Sequence, residues 1–534
     1  MSPAAHGLRR SHRWDTMAVT VRSVQLLLAD GVSASAVADA LAAELPIVSQ
    51  RSHTVERTFW DTFDGRLHGA GLVLVAGAGR LALADATSYA EQAGSLHRRK
   101  AQRLLAGDLP PGELRTRLEP LIEMRALLAL VRVRSRALPL NVLDDIGKIV
   151  VRLRVEEPTA LDASAGEGIA LPARLHVIGV LGYDRELERL RALLDDRLGL
   201  AEAPRPVQDD AVEAAGGVVG GSSSKLRLEL DRQERSDAAA VKVLRRLAEV
   251  IELNLPGTLA DTDSEFLHDL RVAIRRTRAL QRELRGVFAP ETLRAFRDGF
   301  KELQRITGPT RDLDVQLLEF GELAAGLPDD VAHDVAPLRR LLEDHLHVER
   351  RKMVRTLGAG PTRALLDTWS DYLDCLVESD EVARPRAARP AGDVAGRRIA
   401  KVFRRMVKMG SKIDDATPAE ALHELRKQGK ELRYLLEFFQ SLVPSDVVKP
   451  MVSSLKGLQD VLGRFQDREV QAALLRSMGG EVAALDGGAA ALMAMGVLVQ
   501  RLGEDQADAR RQFAESFAAF AAKSQRKLVD QTFG

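Results

Sequence analysis

Two stretches of the chain repeat the same spacing of basic residues. HDLRVAIRRTRAL covers residues 268–280, and HELRKQGKELRYL covers residues 423–435. Each begins with a histidine and carries a basic residue three, seven and ten positions later. An α-helix turns about 100° per residue, so these positions share one helix face while apolar residues take the opposite face. The pattern predicts two amphipathic helices, each with a basic column turned away from the core.

The similarity of the two stretches extends well beyond them. A shift of 155 positions aligns them and continues without a gap over roughly 50 residues. The matched pairs are His268 with His423, Leu270 with Leu425, Arg271 with Arg426, Arg275 with Lys430, Arg278 with Arg433, Lys301 with Lys456, Gln304 with Gln459, Gly308 with Gly463, Asp312 with Asp467 and Val315 with Val470. A chance match would not keep register over this length, so the sequence predicts two similar helical halves.

The remaining chain divides at a segment rich in glycine and serine. A length of 534 residues exceeds one ordinary core. We predict an α+β domain at residues 18–203, a flexible linker at 204–224 and an all-α domain at 225–523. The two halves of the all-α domain are expected at about 225–375 and 390–523. In the first domain, SASAVADALAAEL predicts a helix capped by Ser33 or Ser35.

Composition limits the compartment and the partners. Cys375 is the only cysteine, which excludes an internal disulfide and fits a cytoplasmic protein. No apolar run reaches the roughly 18–20 residues that a membrane-spanning helix needs, so no membrane partner is expected. The first twenty residues lack the long apolar segment of a cleaved secretory signal. The net charge is only +1, from 77 basic and 76 acidic residues, so a polyanion site must come from arrangement.

Four helices are predicted to carry basic stripes. No Asp or Glu occurs from residue 271 to residue 282, although like charges one turn apart repel each other by a few tenths of a kcal/mol. An external anion would neutralise such stripes, whereas solvated faces bridged by nearby acids are the alternative interpretation. The candidate binding residues are His268, Arg271, Arg275, Arg278, Arg294, Arg297, Lys301, Arg305, Lys401, Arg404, Lys408, His423, Arg426, Lys427, Lys430 and Arg433.

The chemistry of the stripes favours a phosphate chain. His268 and His423 lack a Cys, His or Asp three or four positions later, so we predict no metal site there. No Ser, Cys or carboxylate constellation accompanies the histidines, so we predict no catalytic residue and no cofactor. Base readout requires aromatic or amide side chains, and only Tyr434 lies within a stripe. Arginine and lysine suit the oxygens of linked phosphates, which argues against nucleic acid as the partner.

These motifs resemble the conserved-histidine α-helical domain (CHAD) family. The resemblance covers residues 225–523 and includes GPTRDLDV and LQDVLGRFQDREV after the two stretches. It implies two pseudo-symmetric helical bundles, commonly of four helices each, that face a basic groove and bind inorganic polyphosphate without turnover. Glu431 and Gly429 depart from the pattern, so the second column is expected to be the weaker one. The residues implied by the match are His268, Arg271, Arg275, Arg278, His423, Arg426, Lys430 and Arg433.

The first domain resembles the CYTH, or triphosphate-tunnel, family. FWDTFDGRLHGAGLVL at residues 59–74 is similar to that family's YxDTxxxxLxxxGxxLRxR stretch, which implies an antiparallel, β-barrel-like fold. The family's ExExK carboxylates have no counterpart, because no glutamate precedes Glu44. A degenerate, inactive relative is therefore expected. The basic residues that remain on its strands are Arg132, Arg134, Arg136, Arg152 and Arg154.

The sequence therefore predicts a non-catalytic binder of inorganic polyphosphate, with association with polyphosphate granules left open. Two alternatives remain at this stage. The N-terminal tunnel would be a metal-dependent triphosphatase or polyphosphate hydrolase if oxygen ligands for Mg²⁺ or Mn²⁺ were present. The helical domain would otherwise bind nucleic acid through the same cations.

Overall fold

A computed structural model describes residues 23–29, 31–96, 102–161, 168–328, 331–379 and 382–533. The chain forms two compact units, Met1–Ser223 and Ser224–Gly534. The prediction about a secretory signal concerns residues outside the described ranges. No helix within these ranges is long and apolar enough to cross a membrane.

The N-terminal unit is built on one antiparallel sheet. Its main path runs β1-β11-β9-β8-β3-β4-β5-β6, and β2, β7 and β10 pair at its margins. The strands are β1 Ser23–Leu27, β2 Ile47–Ser49, β3 His53–Thr62, β4 Leu72–Gly77, β5 Arg80–Asp85, β6 Glu91–Leu96, β7 Arg103–Leu104, β8 Leu127–Leu143, β9 Ile149–Leu161, β10 Gly168–Ala170 and β11 Arg174–Gly179. The helices are α1 Ala34–Glu44, α2 Arg66–Gly69, α3 Glu113–Ile122, α4 Asp184–Leu198 and α5 Val207–Ala214. The predicted α+β class is confirmed.

The sheet curls into a half-barrel. β1 and β6 end the path, and the Gln25 side chain of β1 donates a hydrogen bond to the Thr87 carbonyl oxygen at 3.0 Å, just before β6. On the outer face, α1 and α4 cover alternate residues of β9, including Val151 and Leu153. Ser33 caps α1, as predicted, because its hydroxyl accepts the Ala36 N–H at 3.2 Å.

The segment predicted as a flexible linker is folded over much of its length. α5 lies within residues 204–224, and its apolar residues Val207 and Ala211 pack in the concave side of the sheet with Phe59. Beyond α5, the Ser222 N–H donates to the Phe63 carbonyl at 2.8 Å. Glycines here allow close approach of two backbones, a use that composition alone does not distinguish from flexibility.

The second unit is helical and keeps the predicted repeat. Its helices are α6 Ser236–Leu259, α7 Ser264–Glu283, α8 Pro290–Ala325, α9 Ala336–Leu357, α10 Gly360–Cys375, α11 Ala391–Gly410, α12 Ala419–Phe438, α13 Ser445–Ala483, α14 Gly488–Phe520 and α15 Lys523–Phe533. α6, α7 and α8 begin at residues 236, 264 and 290, and α11, α12 and α13 begin at 391, 419 and 445, which is 155 later in each case. We call α6–α10 the first repeat and α11–α15 the second repeat.

The two repeats share their hydrophobic cores. The larger core joins α7 residues such as Leu270 and Ile274 to α12 residues such as Leu425 and Leu432. A smaller core joins the C-terminal part of α8 with α9, the C-terminal part of α13 and the N-terminal part of α14. This shared core holds α7 against α12, because moving the two helices apart would expose their apolar side chains to water.

Gly429 in the middle of α12 provides a test of helix propensity. A Cβ there would lie 3.5 Å from the Met406 Cε, an ordinary contact distance. We expect Gly429→Ala to raise the free energy of unfolding by about 0.5–1 kcal/mol, because alanine loses less backbone entropy in a helix. Chemical denaturation measures this change.

Gly257 of α6 is the matched control. A Cβ at this buried position would overlap the Phe266 ring. Gly257→Ala should therefore lower the free energy of unfolding by about 1–3 kcal/mol through overpacking. Equal effects of the two substitutions would contradict the described packing of α12.

A candidate anion-binding site in the helical unit

The predicted basic columns of α7 and α12 lie opposite their apolar faces. Leu270 and Leu425 are buried in the shared core, whereas Arg271 and Arg426, one position later, are half-buried. This placement follows from helical spacing, which turns consecutive residues by about 100°. His268 is half-buried one turn before Arg271, and His423 holds the same position before Arg426.

Arg271 reaches across from α7 to the next helix, α8. Its Nη1 donates to the Gln304 carbonyl at 3.1 Å and to the Thr307 hydroxyl at 2.8 Å. It also lies over Gly308, where a Cβ would be 3.6 Å from Nη1. Burial lowers the pKa of Arg271 to about 10, while the nearby carboxylate of Asp312 opposes this shift and Arg275 and Arg311 add to it. The guanidinium is therefore held in place by neutral oxygens and remains largely charged at neutral pH.

Arg426 occupies the equivalent position in the second repeat. It lies over Gly463, where a Cβ would be 4.0 Å from its Nη2, and it forms an ion pair with Asp467 at 3.0 Å. The neighbouring His423 Nδ1 is hydrogen-bonded to the Gln466 side-chain oxygen. The matched glycines leave room on both sides for an arginine to cross the adjacent helix.

The two columns meet at Arg275 and Lys430. Burial lowers the pKa of Lys430 to about 8, and Arg426 and Arg275 lower it further while Asp467 opposes the shift. Among the described residues, neither Arg275 nor Lys430 has a hydrogen-bond or ion-pair partner, and the Arg275 Nε is buried. Arg271, Arg275, Arg426 and Lys430 form what we call the central cluster.

Arg278 and the exposed stripe of α8 extend this cluster. Arg278 donates a hydrogen bond to the Gln304 side-chain oxygen. Its pKa is lowered mainly by burial, and also by the positive charges of Arg282 and Arg297. Arg297 therefore lies near Arg278, and helical spacing places Arg294 and Lys301 on the same face of α8. Within the described ranges, no carboxylate oxygen lies within 4.0 Å of the basic groups of Arg278, Arg294, Arg297 or Lys301.

Other predicted site residues are already neutralised, which corrects the expectation of unpaired columns. Three of the four pairs join residues three or four positions apart on one helix, as in the alternative interpretation of solvated faces bridged by nearby acids, and only Arg404 is bound by an acid of another helix. The pairs are Arg305 with Glu302 at 2.6 Å, Arg404 with Asp530 at 2.7 Å, Lys427 with Glu424 at 3.4 Å and Arg433 with Glu437 at 2.8 Å.

The basic face of α11 forms a separate surface. Lys401 and Lys408 are exposed on the same face as Arg404, whose partner Asp530 belongs to α15. Arg398, at one edge of this face, forms an ion pair with Glu283 of α7. The structure therefore contains the predicted basic stripe of α11. Glu283 lies between this stripe and the basic column of α7, so the two basic surfaces are not continuous.

Sequence reasoning missed the acids of α12 that contact α7. Glu431 pairs with Arg282 at 2.8 Å, and Glu437 pairs with Arg276. Burial raises the pKa of Glu431. Glu431 was recognised as a departure from the repeat, but its partner could be identified only once the packing of α7 on α12 was known.

The alternative site, in the N-terminal sheet, contains its own carboxylates. Glu156 pairs with Arg57 and with Arg154, the latter at 2.6 Å, and α5 supplies Asp210 to the buried Arg174. These contacts lie on the face of the sheet that α5 covers. No group of three or more His, Cys, Asp or Glu placed to hold a metal occurs in the described part of the chain.

The predicted basic strands also fail to share one face. Arg152 and Arg154 of β9 pair in register with Asn141 and Pro139 of β8. The remaining arginines alternate onto the opposite face, because side chains of a strand point to alternate sides. They are Arg132, Arg134 and Arg136, all exposed.

Comparison with known proteins bears on the helical unit. No curated protein matches the chain. The chain is similar to the crystal structure of the CHAD domain from the plant Ricinus communis, with 23% identity, a TM-score of 0.47, and coverage of 56% of this chain and 98% of that one. It is also similar to PptA from Streptomyces chartreusis, with 17% identity, a TM-score of 0.40, and coverage of 53% and 99%.

The family model of the CHAD domain matches residues 242–476. This range contains α7 and α12, so it includes all four residues of the central cluster. The resemblance predicted from the two histidine-containing stretches is confirmed, because residues 242–476 of the helical unit match the CHAD family model.

Proposed function

We propose that the helical unit binds inorganic polyphosphate without hydrolysing it. The observation that carries this proposal is the central cluster, in which Arg275 and Lys430 approach each other without a hydrogen-bond or ion-pair partner among the described residues. Bringing like charges together in a half-buried position costs free energy. A polyanion would supply the missing counter-charge and recover that cost on binding.

Linked phosphates suit this cluster better than nucleic acid does. Arginine donates forked hydrogen bonds to phosphate oxygens, and lysine adds a compact charge. Tyr434 is the aromatic residue of the stripe on α12, and its ring lies 5.9 Å from the Arg276 guanidinium carbon and stacks with Phe438. A ring that already contacts Arg276 and Phe438 is less available for stacking on a base.

A charge-removal variant tests the central cluster. We expect Arg275→Gln with Lys430→Gln to weaken polyphosphate binding by at least about tenfold, because hydrogen bonds to charged groups contribute about 1.5–3 kcal/mol each. Isothermal titration calorimetry with long-chain polyphosphate measures the affinity, and circular dichroism checks that the helices persist.

The control removes two cations that already have partners. Arg305→Gln with Arg404→Gln lowers the net charge equally but leaves the cluster intact. Its affinity should stay within about threefold of the unsubstituted protein, since exposed ion pairs contribute little. Equal losses in both variants would mean that overall charge, rather than the cluster, binds the polymer. Displacement of polyphosphate by single-stranded DNA at equal phosphate concentration would favour the nucleic-acid alternative.

The depressed pKa of Lys430 predicts a pH dependence. In the unliganded protein the Lys430 amine has a pKa of about 8, and a bound phosphate chain should raise this pKa. Affinity is therefore expected to be nearly constant below pH 8 and to fall by up to tenfold per pH unit above it, because binding must then take up a proton. Titrations from pH 7 to about pH 9.5 measure this trend.

Lys430→Arg provides the matched control for pH. A guanidinium stays charged throughout this range, so the decline above pH 8 should disappear. An unchanged decline in this variant would assign the proton uptake to another group.

The absence of turnover is a separate expectation. Glu156 and Asp210 of α5 already bind Arg57, Arg154 and Arg174 of the sheet, so a triphosphate would have to compete with these carboxylates. Incubation of the full chain with tripolyphosphate and Mg²⁺ or Mn²⁺ should release no orthophosphate above the protein-free rate in a colorimetric assay. Release that is abolished by Arg152→Ala with Arg154→Ala would instead establish the hydrolase alternative.

A further inference from the structure

We propose that the polyphosphate site is polarised, with the polymer held mainly by α7 and α8 of the first repeat. The second repeat then contributes Arg426 and Lys430 at the junction and little beyond them. This inference rests on the proposed function and describes where on the same site the ligand lies.

Equivalent positions of the two repeats carry different charges. In the exposed stripe of α8, Arg294 and Lys301 keep a lysine 155 positions later, at Lys449 and Lys456 of α13, whereas Arg297 has Val452 as its counterpart. Val452 is exposed, so no burial requirement accounts for an apolar residue there. The stripe of α13 therefore offers a phosphate chain fewer contacts than the stripe of α8.

Charges that match in sequence differ in availability. Arg278 donates to the neutral amide of Gln304, and no carboxylate among the described residues pairs with it. Its counterpart Arg433 is bound by Glu437 at 2.8 Å. A phosphate must compete with a carboxylate for Arg433, whereas Arg278 remains available.

The acids responsible for this difference hold the two repeats together. Glu431 and Glu437 stand 155 positions after Arg276 and Arg282, so both positions reverse charge between the repeats. The ion pairs cross between them, Arg276 with Glu437 and Arg282 with Glu431. This reciprocal pattern is typical of a two-fold interface. If both repeats carried arginine at these two positions, each ion pair would be replaced by two arginines in contact.

Joining α7 to α12 in this way removes positive charge from the second repeat. The described path of unpaired cations runs along Arg294, Arg297 and Lys301 of α8, passes Arg278, and reaches the central cluster. Beyond Lys430 the path meets Glu431 and Glu437. A polyanion should therefore stop near this point and extend over α8 instead.

Two matched double variants test the polarity. Arg278→Gln with Lys301→Gln changes the first repeat, and Arg433→Gln with Lys456→Gln changes the equivalent positions of the second. Calorimetric titration with polyphosphate of one defined length should show a loss of about tenfold or more for the first pair. The second pair should change the affinity by no more than about twofold.

The possible outcomes separate the two proposals. Equal losses in both pairs, or a larger loss in the second, would overturn the polarity while polyphosphate binding by the unsubstituted protein stands. No binding by the unsubstituted protein would overturn both. Arg278→Lys keeps the charge and should retain most of the affinity, and thermal unfolding of every variant guards against a loss caused by misfolding.

Discussion

The arrangement of the helical unit depends on the repulsion between cations that the shared core holds together. Leu270 and Leu425 bury the apolar faces of α7 and α12, and the same rotation brings Arg275 of one column close to Lys430 of the other. Burial and like charge together lower the pKa of Lys430 to about 8. The folded chain thus stores an unfavourable electrostatic interaction that hydrophobic packing maintains and that a bound anion would relieve.

The acids near this cluster define its limits. Asp467 pairs with Arg426 at one side, and Glu431 and Glu437 bind arginines of α7 at the other. These pairs stabilise the contact between repeats, since removing one member would leave a partly buried charge unpaired. Within the cluster, Asp467 binds Arg426 and Asp312 lies near Arg271 and Arg275, so the described acids only partly balance the positive charge of the site.

Helical periodicity made the columns of α7 and α12, their buried faces and the repeat predictable, because each depends on residues within one helix. Helical spacing also places Glu437 one turn after Arg433, but it does not reveal that Glu437 contacts Arg276 of α7 or that Arg404 is bound by Asp530 of α15. The same limit applies to the N-terminal unit. Gly- and Ser-rich composition around α5 indicated a linker, whereas packing of Val207 in the sheet depends on contacts distant in sequence.

The salt dependence of polyphosphate binding by the full chain tests the account most directly. Titrations with chains of defined length at several salt concentrations give the slope of log affinity against log salt, which counts the counterions released. We predict that log affinity falls linearly with log salt, with a slope of several units. This slope should reach its full value once the polyphosphate is long enough to span the central cluster and the stripe of α8. Affinity that is independent of salt, or no binding at low salt, would contradict the central cluster as the ligand site.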